Sequence, residues 1–356
     1  GSTKLPASHS SSMSLALLEP PTNSSPQTAL YLSQQAKPFI ASQATWLSRL
    51  PWPLSLFINT ESQEKWAIYE NIFLACLRTG DNASASACLD ELTSRFGDSN
   101  ERVAALNGMY REATAVDHKA LSAVLAHYDE VLREDPRVFS IRKRRAALLR
   151  SMGNTAEAVQ ALTELLDISP TDAEAWSELG DLYLTQGMYE QAKYCLEEVL
   201  VVIPNAWNMH ARLGEVLFLA AGKLEGAEKV KVLSESMRRF CRSVELCVGY
   251  LRGYYGMKMV WTRRILLRVY TFANVLQTTS RLLEVLPNTK KSTDSTGGLA
   301  PPSIQTVEDL HELATSKLAE ILRRSTSREK GWDGYSVAEV IAVKELLDRS
   351  AQKIER

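Results

Sequence analysis

Thirty-four residues, Ala173 to Ala206, constrain what this chain can fold into more than any other stretch. Trp176, Leu179, Gly180, Tyr183, Ala192, Leu196 and Pro204 stand there at spacings that give each residue type a physical job. Trp176, Leu179 and Tyr183 make one stripe of a helix. Gly180 and Ala192 carry little or no side chain, which lets two antiparallel helices approach closely. Pro204 lacks the N–H that would continue the second helix and so ends it. A lone pair of this kind cannot bury its apolar face, and similar pairs must stack on it.

Stepping the frame finds the neighbours. Phe139–Asp172 has Ala146, Leu149, Gly153, Ala158, Leu162 and Pro170 in matching places. Glu101–Val138 carries Gly108, Val124, Tyr128 and Pro136, with about four extra residues between its helices. Trp66–Ser99 offers Tyr69, Ile72, Gly80, Ala85 and Leu89. Trp207–Tyr250 begins with Leu213, Gly214 and Leu217, then needs about ten extra residues around Gly222–Val232 before Phe240 and Val244 resume the pattern. Leu251–Leu286 reads as a sixth, degenerate unit or a longer closing pair. These are the spacings of tetratricopeptide repeats. The expected fold is therefore all-α, a tetratricopeptide-repeat α-solenoid wound as a right-handed superhelix, with extra terminal helices.

The array is expected over 66–286, and the ends differ from it. Residues 1–27 form a Ser/Pro-rich tail whose composition predicts disorder. Residues 28–65 carry a helical pattern that Pro51-Trp52-Pro53 breaks. Residues 287–303 (PNTKKSTDSTGGLAPPS) have the composition of a flexible linker. Residues 304–356 predict a helical pair. Val307, Leu310, Ala314, Leu318, Ile321 and Leu322 lie on one face of its first helix, and Ser336-x-x-Glu339 is a capping box for the second. Docking of this pair on the last repeat is favoured over engagement of a partner.

Composition is that of an ordinary globular chain, 45% hydrophobic and 23% charged, and a net charge of −1 gives no global attraction to nucleic acid or acidic membranes. No run approaches the roughly eighteen apolar residues of a membrane span. The five cysteines, Cys76, Cys88, Cys195, Cys241 and Cys247, fall inside helical patterns, as buried thiols of a cytosolic protein would. His9, His118, His127, His210 and His311 are scattered, with no Cys/His spacing that fits zinc. Gly249, Gly253 and Gly256 follow no strand and precede no Gly-Lys-Ser/Thr, so close helix packing explains them better than phosphate binding. No catalytic residue, metal site or cofactor is expected, and the chain is read as a binding protein, not an enzyme.

Charge is more informative. Between Arg137 and Arg150 stand Arg137, Arg142, Lys143, Arg144, Arg145 and Arg150 with no acid, whereas Glu157–Glu198 holds ten acids against Lys193 alone. Four consecutive bases fan round most of a helix circumference, so they cannot form one phosphate-tracking face. Arg145 takes the place where a repeat normally buries leucine. It is expected to be mostly buried and paired with an acid, Glu178 or Asp181.

Several stretches together resemble a known family. WAIYENIFLACLRTGD (66–81), ALNGMYREA (105–113), HYDEVLREDP (127–136), RKRRAALLRSMGNTAEAV (142–159), DAEAWSELGDLYLTQGMYEQAKYCLEEVL (172–200) and the segment around Leu251–Met257 are similar to subunit 2 of the ER membrane protein complex. The resemblance covers about 66–260. It implies a peripheral subunit on the cytosolic face of the endoplasmic reticulum membrane, in a complex that inserts tail-anchored and multi-pass membrane proteins. It also implies partners: cytosolic parts of membrane-embedded subunits, and a second soluble subunit of metalloprotease-like fold. No nucleic acid and no membrane span of its own would be involved.

In repeats of this kind the first helices line the groove, exposing their second, fifth, ninth and twelfth positions. The candidate partner-binding residues are Arg102, Met109, Lys143, Arg150, Glu174, Asp181, Asn208, Glu215, Phe218, Arg252, Tyr255 and Met259. This mixture suits an extended segment or helix held by many modest contacts. Two other readings compete. A co-chaperone gripping acidic chaperone tails would need a two-carboxylate clamp, but Lys143 is followed by Ala147 and then Glu178. An adaptor of RNA metabolism would use Arg142–Arg145, against the acidic repeat that follows.

Overall fold

The computed structural model of the chain describes residues 17–18, 26–48, 63–261, 303–332 and 334–354. Most of the 1–27 tail, the Pro51-Trp52-Pro53 break, residues 262–286 and the 287–302 linker lie outside the described residues. Within them every regular element is a helix, and the fold is an all-α tetratricopeptide-repeat solenoid. The chain divides into two compact units, 1–168 and 169–356.

The first unit opens with α1 (Pro26–Gln34) and α2 (Ala36–Ser48). Three helix pairs follow: α3 (Gln63–Thr79) with α4 (Asn82–Phe96), α5 (Glu101–Thr114) with α6 (His118–Glu134), and α7 (Phe139–Ser151) with α8 (Thr155–Ile168). Asp81, Asn100 and Asp117 start α4, α5 and α6 by accepting hydrogen bonds from first-turn backbone N–H groups. Gly80 and Gly153 turn the chain within their pairs at φ of +77° and +83°, a region costly for any residue with a Cβ. Tyr69, Ile72 and Phe73 of α3 are fully buried in a core shared with Leu32 and Ala36. Leu17 joins this core, and the Asn71 amide donates to the carbonyls of Leu17 and Leu18, both at 3.0 Å. The extra residues after Asp117 are taken up by helix: α6 has 17 residues where α5 has 14.

The second unit holds α9 (Ala173–Thr185) with α10 (Tyr189–Val202), then α11 (Trp207–Ala220) with α12 (Gly226–Leu246). Residues 251–261 form α13, and α14 (Ile304–Thr326) and α15 (Val337–Ile354) complete the unit. The insert near Gly222 becomes a 3₁₀ turn at Ala221–Lys223 and a lengthened, 21-residue α12. Lys223 ties this turn back to the preceding pair, donating to the Gly187 carbonyl at 3.2 Å and lying over the Tyr189 ring. Val307, Ala314, Leu318, Ile321 and Val343 of α14 and α15 share a buried core with Met257 and Val260 of α13 and with Phe240 of α12. The C-terminal helices thus dock on the last repeat helices.

Small residues set the helix spacing. A Cβ on Gly180 would stand 3.3 Å from that of Cys195, and one on Gly214 would meet three Phe240 ring atoms at 3.1 Å. Phe240 also fills the space over Gly256, so a single aromatic ring locks α11, α12 and α13 together. The stripe of Trp176 and Leu179 is not evenly covered: Leu179 is buried, but Trp176 is only half-buried, with part of its ring open to solvent. The Trp176 ring meets Tyr194 edge-on at 5.8 Å and its indole N–H donates to the Pro170 carbonyl at 2.8 Å. An indole needs a partner for its N–H, and the backbone just ahead of α9 supplies one.

Candidate functional site

In the second unit a cavity of about 370 Å³ opens between α11 and α13. Asn208, Ala211, Glu215 and Phe218 of α11 and Arg252, Tyr255 and Met259 of α13 all line it. Spacings of three and four residues put each set on one helix face. Phe240 and Gly256 form the floor, and Tyr250 enters from the turn before α13. These two groups are not visible in first-helix spacing: Phe240 belongs to a second helix and Tyr250 precedes the frame.

Both charge signs are held in place around this cavity. Arg212 donates to Asp181 and to Glu215, each at 2.7 Å, and Arg252 donates to Glu339 of α15 at 2.8 Å. Its bond to Arg252 and the Ser336 donors hold the Glu339 carboxyl below its usual range in spite of burial. Burial raises the Tyr250 hydroxyl above its ordinary value, so it stays a neutral hydrogen-bonding group at physiological pH. The site is amphipathic: Phe218, Tyr255 and Met259 offer apolar surface, ringed by fixed ion pairs. It can hold a side chain of a partner segment, and carries no pre-assembled nucleophile and base. Among the described residues no three His, Cys, Asp or Glu side chains converge as a metal would require. No described helix is long and apolar enough to cross a membrane.

The first unit has its own cavity, of about 760 Å³, bounded by α1, α3, α5, α6 and α7. Met109 lines it, together with Leu32, Leu74, Leu77 and Leu148. Its polar wall is a network that spacing alone does not reveal: Arg144 pairs with Glu112, and the Tyr128 hydroxyl donates to Glu112 at 2.5 Å. Burial first, and that bond second, raise the Tyr128 pKa strongly. Arg102 pairs with Glu70 at the solvent edge. Lys143 and Arg150 are half-buried on α7, while Glu174 is exposed on α9.

Arg145 is not where the repeat frame puts it. Its side chain keeps 25% of its exposure and donates to Asp129 of α6 at 2.6 Å, while Asp181 is taken by Arg212. A leucine at this position must bury all of itself, but arginine can lay its stem along the helix and bring its head to a rim carboxylate. The basic run is thereby divided. Arg144 turns into the unit, Arg145 turns to α6, and Arg142 donates to the Pro136 carbonyl at 2.6 Å.

Residues 101–231 match a family model described as the EMC2 TPR-like repeat domain. The chain is 39% identical over 194 residues to the TPR repeat protein oca3 of Schizosaccharomyces pombe, covering 54% of this chain and 65% of that protein. It is 34% identical over 194 residues to ER membrane protein complex subunit 2-B of Xenopus laevis, covering 54% of this chain and 61% of that one. The chain thus spans less than two thirds of the length of these relatives. Among solved structures, the C-terminal part of a TPR repeat-containing protein from Cytophaga hutchinsonii aligns with a TM-score of 0.46 and 13% identity, over 87% of this chain and 100% of that one.

Proposed function

We propose that this chain, whose residues 101–231 match the model of the EMC2 TPR-like repeat domain, is a non-catalytic scaffold subunit on the cytosolic side of the ER membrane protein complex. Its role is to hold cytosolic parts of membrane-embedded subunits, and a second soluble subunit of metalloprotease-like fold, while the complex inserts tail-anchored and multi-pass membrane proteins. The relatives named as subunits of that complex support membership. The observation that carries the binding role is the cavity between α11 and α13, where seven first-helix residues at groove spacing surround one amphipathic space. A partner segment would seat an apolar side chain against Phe218, Tyr255 and Met259 and place its polar flanks beside Arg212, Glu215 and Arg252.

Affinity purification of the tagged chain from detergent-solubilised membranes, read by mass spectrometry, tests the reading. The expected result is recovery of membrane-embedded proteins together with a soluble one. Tyr255→Ala combined with Met259→Ala should weaken that recovery while the purified protein keeps its helical circular dichroism. A folded chain that brings down no membrane protein overturns the proposal. Recovery unchanged in the double variant moves the binding role away from this cavity.

A further inference from the structure

On the side of the first unit formed by its second helices lies a smaller cavity of about 190 Å³. Arg133 of α6 and Arg142 and Arg145 of α7 all border it, over a floor that includes Leu132 and Ala161. Asp129 and Glu164 stand at the same opening. The three guanidinium groups are not equivalent. Arg145 is committed to Asp129 at 2.6 Å. Arg142 uses its Nε on the neutral Pro136 carbonyl, which fixes the group in place and leaves its charge unneutralised. Among the described residues Arg133 makes neither a hydrogen bond nor an ion pair. Glu164 accepts from the Gln160 amide at 2.9 Å, which orients it without neutralising it.

Three cations and two carboxylates leave the pocket with one surplus positive charge, which matches a single carboxylate. A planar guanidinium can donate two parallel bonds to that group. The apolar floor suits the CH₂ stem of an aspartate or glutamate. A phosphodiester chain fits poorly, because no aromatic ring lines the pocket for a base to stack on. We propose that this pocket captures a side-chain carboxylate from an acidic segment of a partner protein. The chain then has a docking point on its second-helix side, separate from the α11–α13 cavity and independent of what binds there.

Fluorescence anisotropy on the full chain tests this with a fluorescein-labelled Gly-Glu-Asp-Glu-Glu-Asp-Gly peptide and its Gln/Asn counterpart. The acidic peptide should bind, and the neutral one should bind at least tenfold more weakly. Arg133→Gln with Arg142→Gln should reduce acidic-peptide affinity at least tenfold, with an unchanged melting curve because neither side chain is in the core. Arg111→Gln with Lys119→Gln, exposed cations of the same unit outside this pocket, should leave it intact. Three results overturn the proposal: no binding of the acidic peptide at millimolar concentration, equal binding by wild type and the Arg133/Arg142 variant, or equal loss from the Arg111/Lys119 pair. A twenty-nucleotide single-stranded RNA that binds more tightly than the peptide and is lost with Arg133 and Arg142 overturns it as well.

Discussion

Arg144 and Arg102 each bridge the first helices of consecutive pairs, yet substitution should treat them very differently. Glu112, the partner of Arg144, keeps 14% of its side-chain exposure and Arg144 keeps 25%, whereas Arg102 is 64% exposed. Removing Arg144 leaves a carboxylate and the Tyr128 hydroxyl facing each other in a partly buried site. We expect Arg144→Ala to cost about 3–5 kcal/mol. Arg102→Ala removes a solvent-screened pair and should cost less than about 1 kcal/mol. Urea unfolding of the two variants measures both, and equal losses would contradict the burial argument. Trp176→Ala falls between them. A fully buried tryptophan would cost about 3–5 kcal/mol, but a rim indole with one hydrogen bond and one edge contact should cost about 1–3 kcal/mol. These distinctions are hard to see in sequence: the repeat frame says which helix turn faces a neighbour. It does not say where a long side chain with several rotatable bonds ends.

At the scale of helices the sequence is far more telling, because packing distance is set by backbone and Cβ alone. Gly108, Gly180 and Gly214 all recur at one repeat position, and each meets a residue of its second helix: Tyr128, Cys195 and Phe240. Gly256 faces the same Phe240 ring from α13, and a methyl group there would overlap it. Gly256→Ala must therefore push α13 from α12, and we expect a loss of about 1–3 kcal/mol from overpacking. Adding Phe240→Leu should return part of it by making room. A thermal melt in which the double variant is no more stable than Gly256→Ala would contradict this coupling. The inserts, by contrast, show in sequence only as broken spacing. Their form as lengthened α6 and α12 depends on helix-forming residues at their N-terminal ends and on the Lys223 anchor, contacts between pairs that a repeat alignment does not carry. The acid–arginine pairs joining first helices, Glu70–Arg102, Glu112–Arg144 and Asp181–Arg212, lie 32, 32 and 31 residues apart. A search at slightly less than one repeat period would have found them.

For the molecule as a whole, the two units differ in what closes them, and pH should expose the difference. The second unit is capped by α14 and α15, and the seam with α13 contains groups that resist charging. Lys258 is 1% exposed and donates to Thr315 at 2.8 Å; burial lowers its pKa. His311 stacks on Trp261 with ring centroids 3.5 Å apart, and burial, reinforced by the Lys258 charge, pulls it down to about 4. Glu308 and Glu312 lie on the same helix and Lys317 nearly two turns beyond His311, but among the described residues Lys258 is the charged group that acts on His311 alongside burial. A histidine depressed in the fold is neutral there while the unfolded chain takes up a proton near pH 6.5, so the unfolded state binds more protons between pH 6.5 and 4. Its contribution is therefore complete above about pH 6.5 and lost progressively as pH falls to about 4. His210, also buried and lowered, adds in the same direction within the same unit. Carboxylates held low, such as Glu339, weaken the unit only as pH drops further through the carboxylate range. Denaturant unfolding at intervals from pH 7.5 to 4.5 should show stability falling with acid for the wild type. In His311→Gln the slope between pH 6.5 and 4.5 should be shallower by up to one proton, with the curves converging in steepness above pH 7. Parallel slopes throughout would mean that His311 charges freely in the native state, and that the seam between α13 and α14 is open to water.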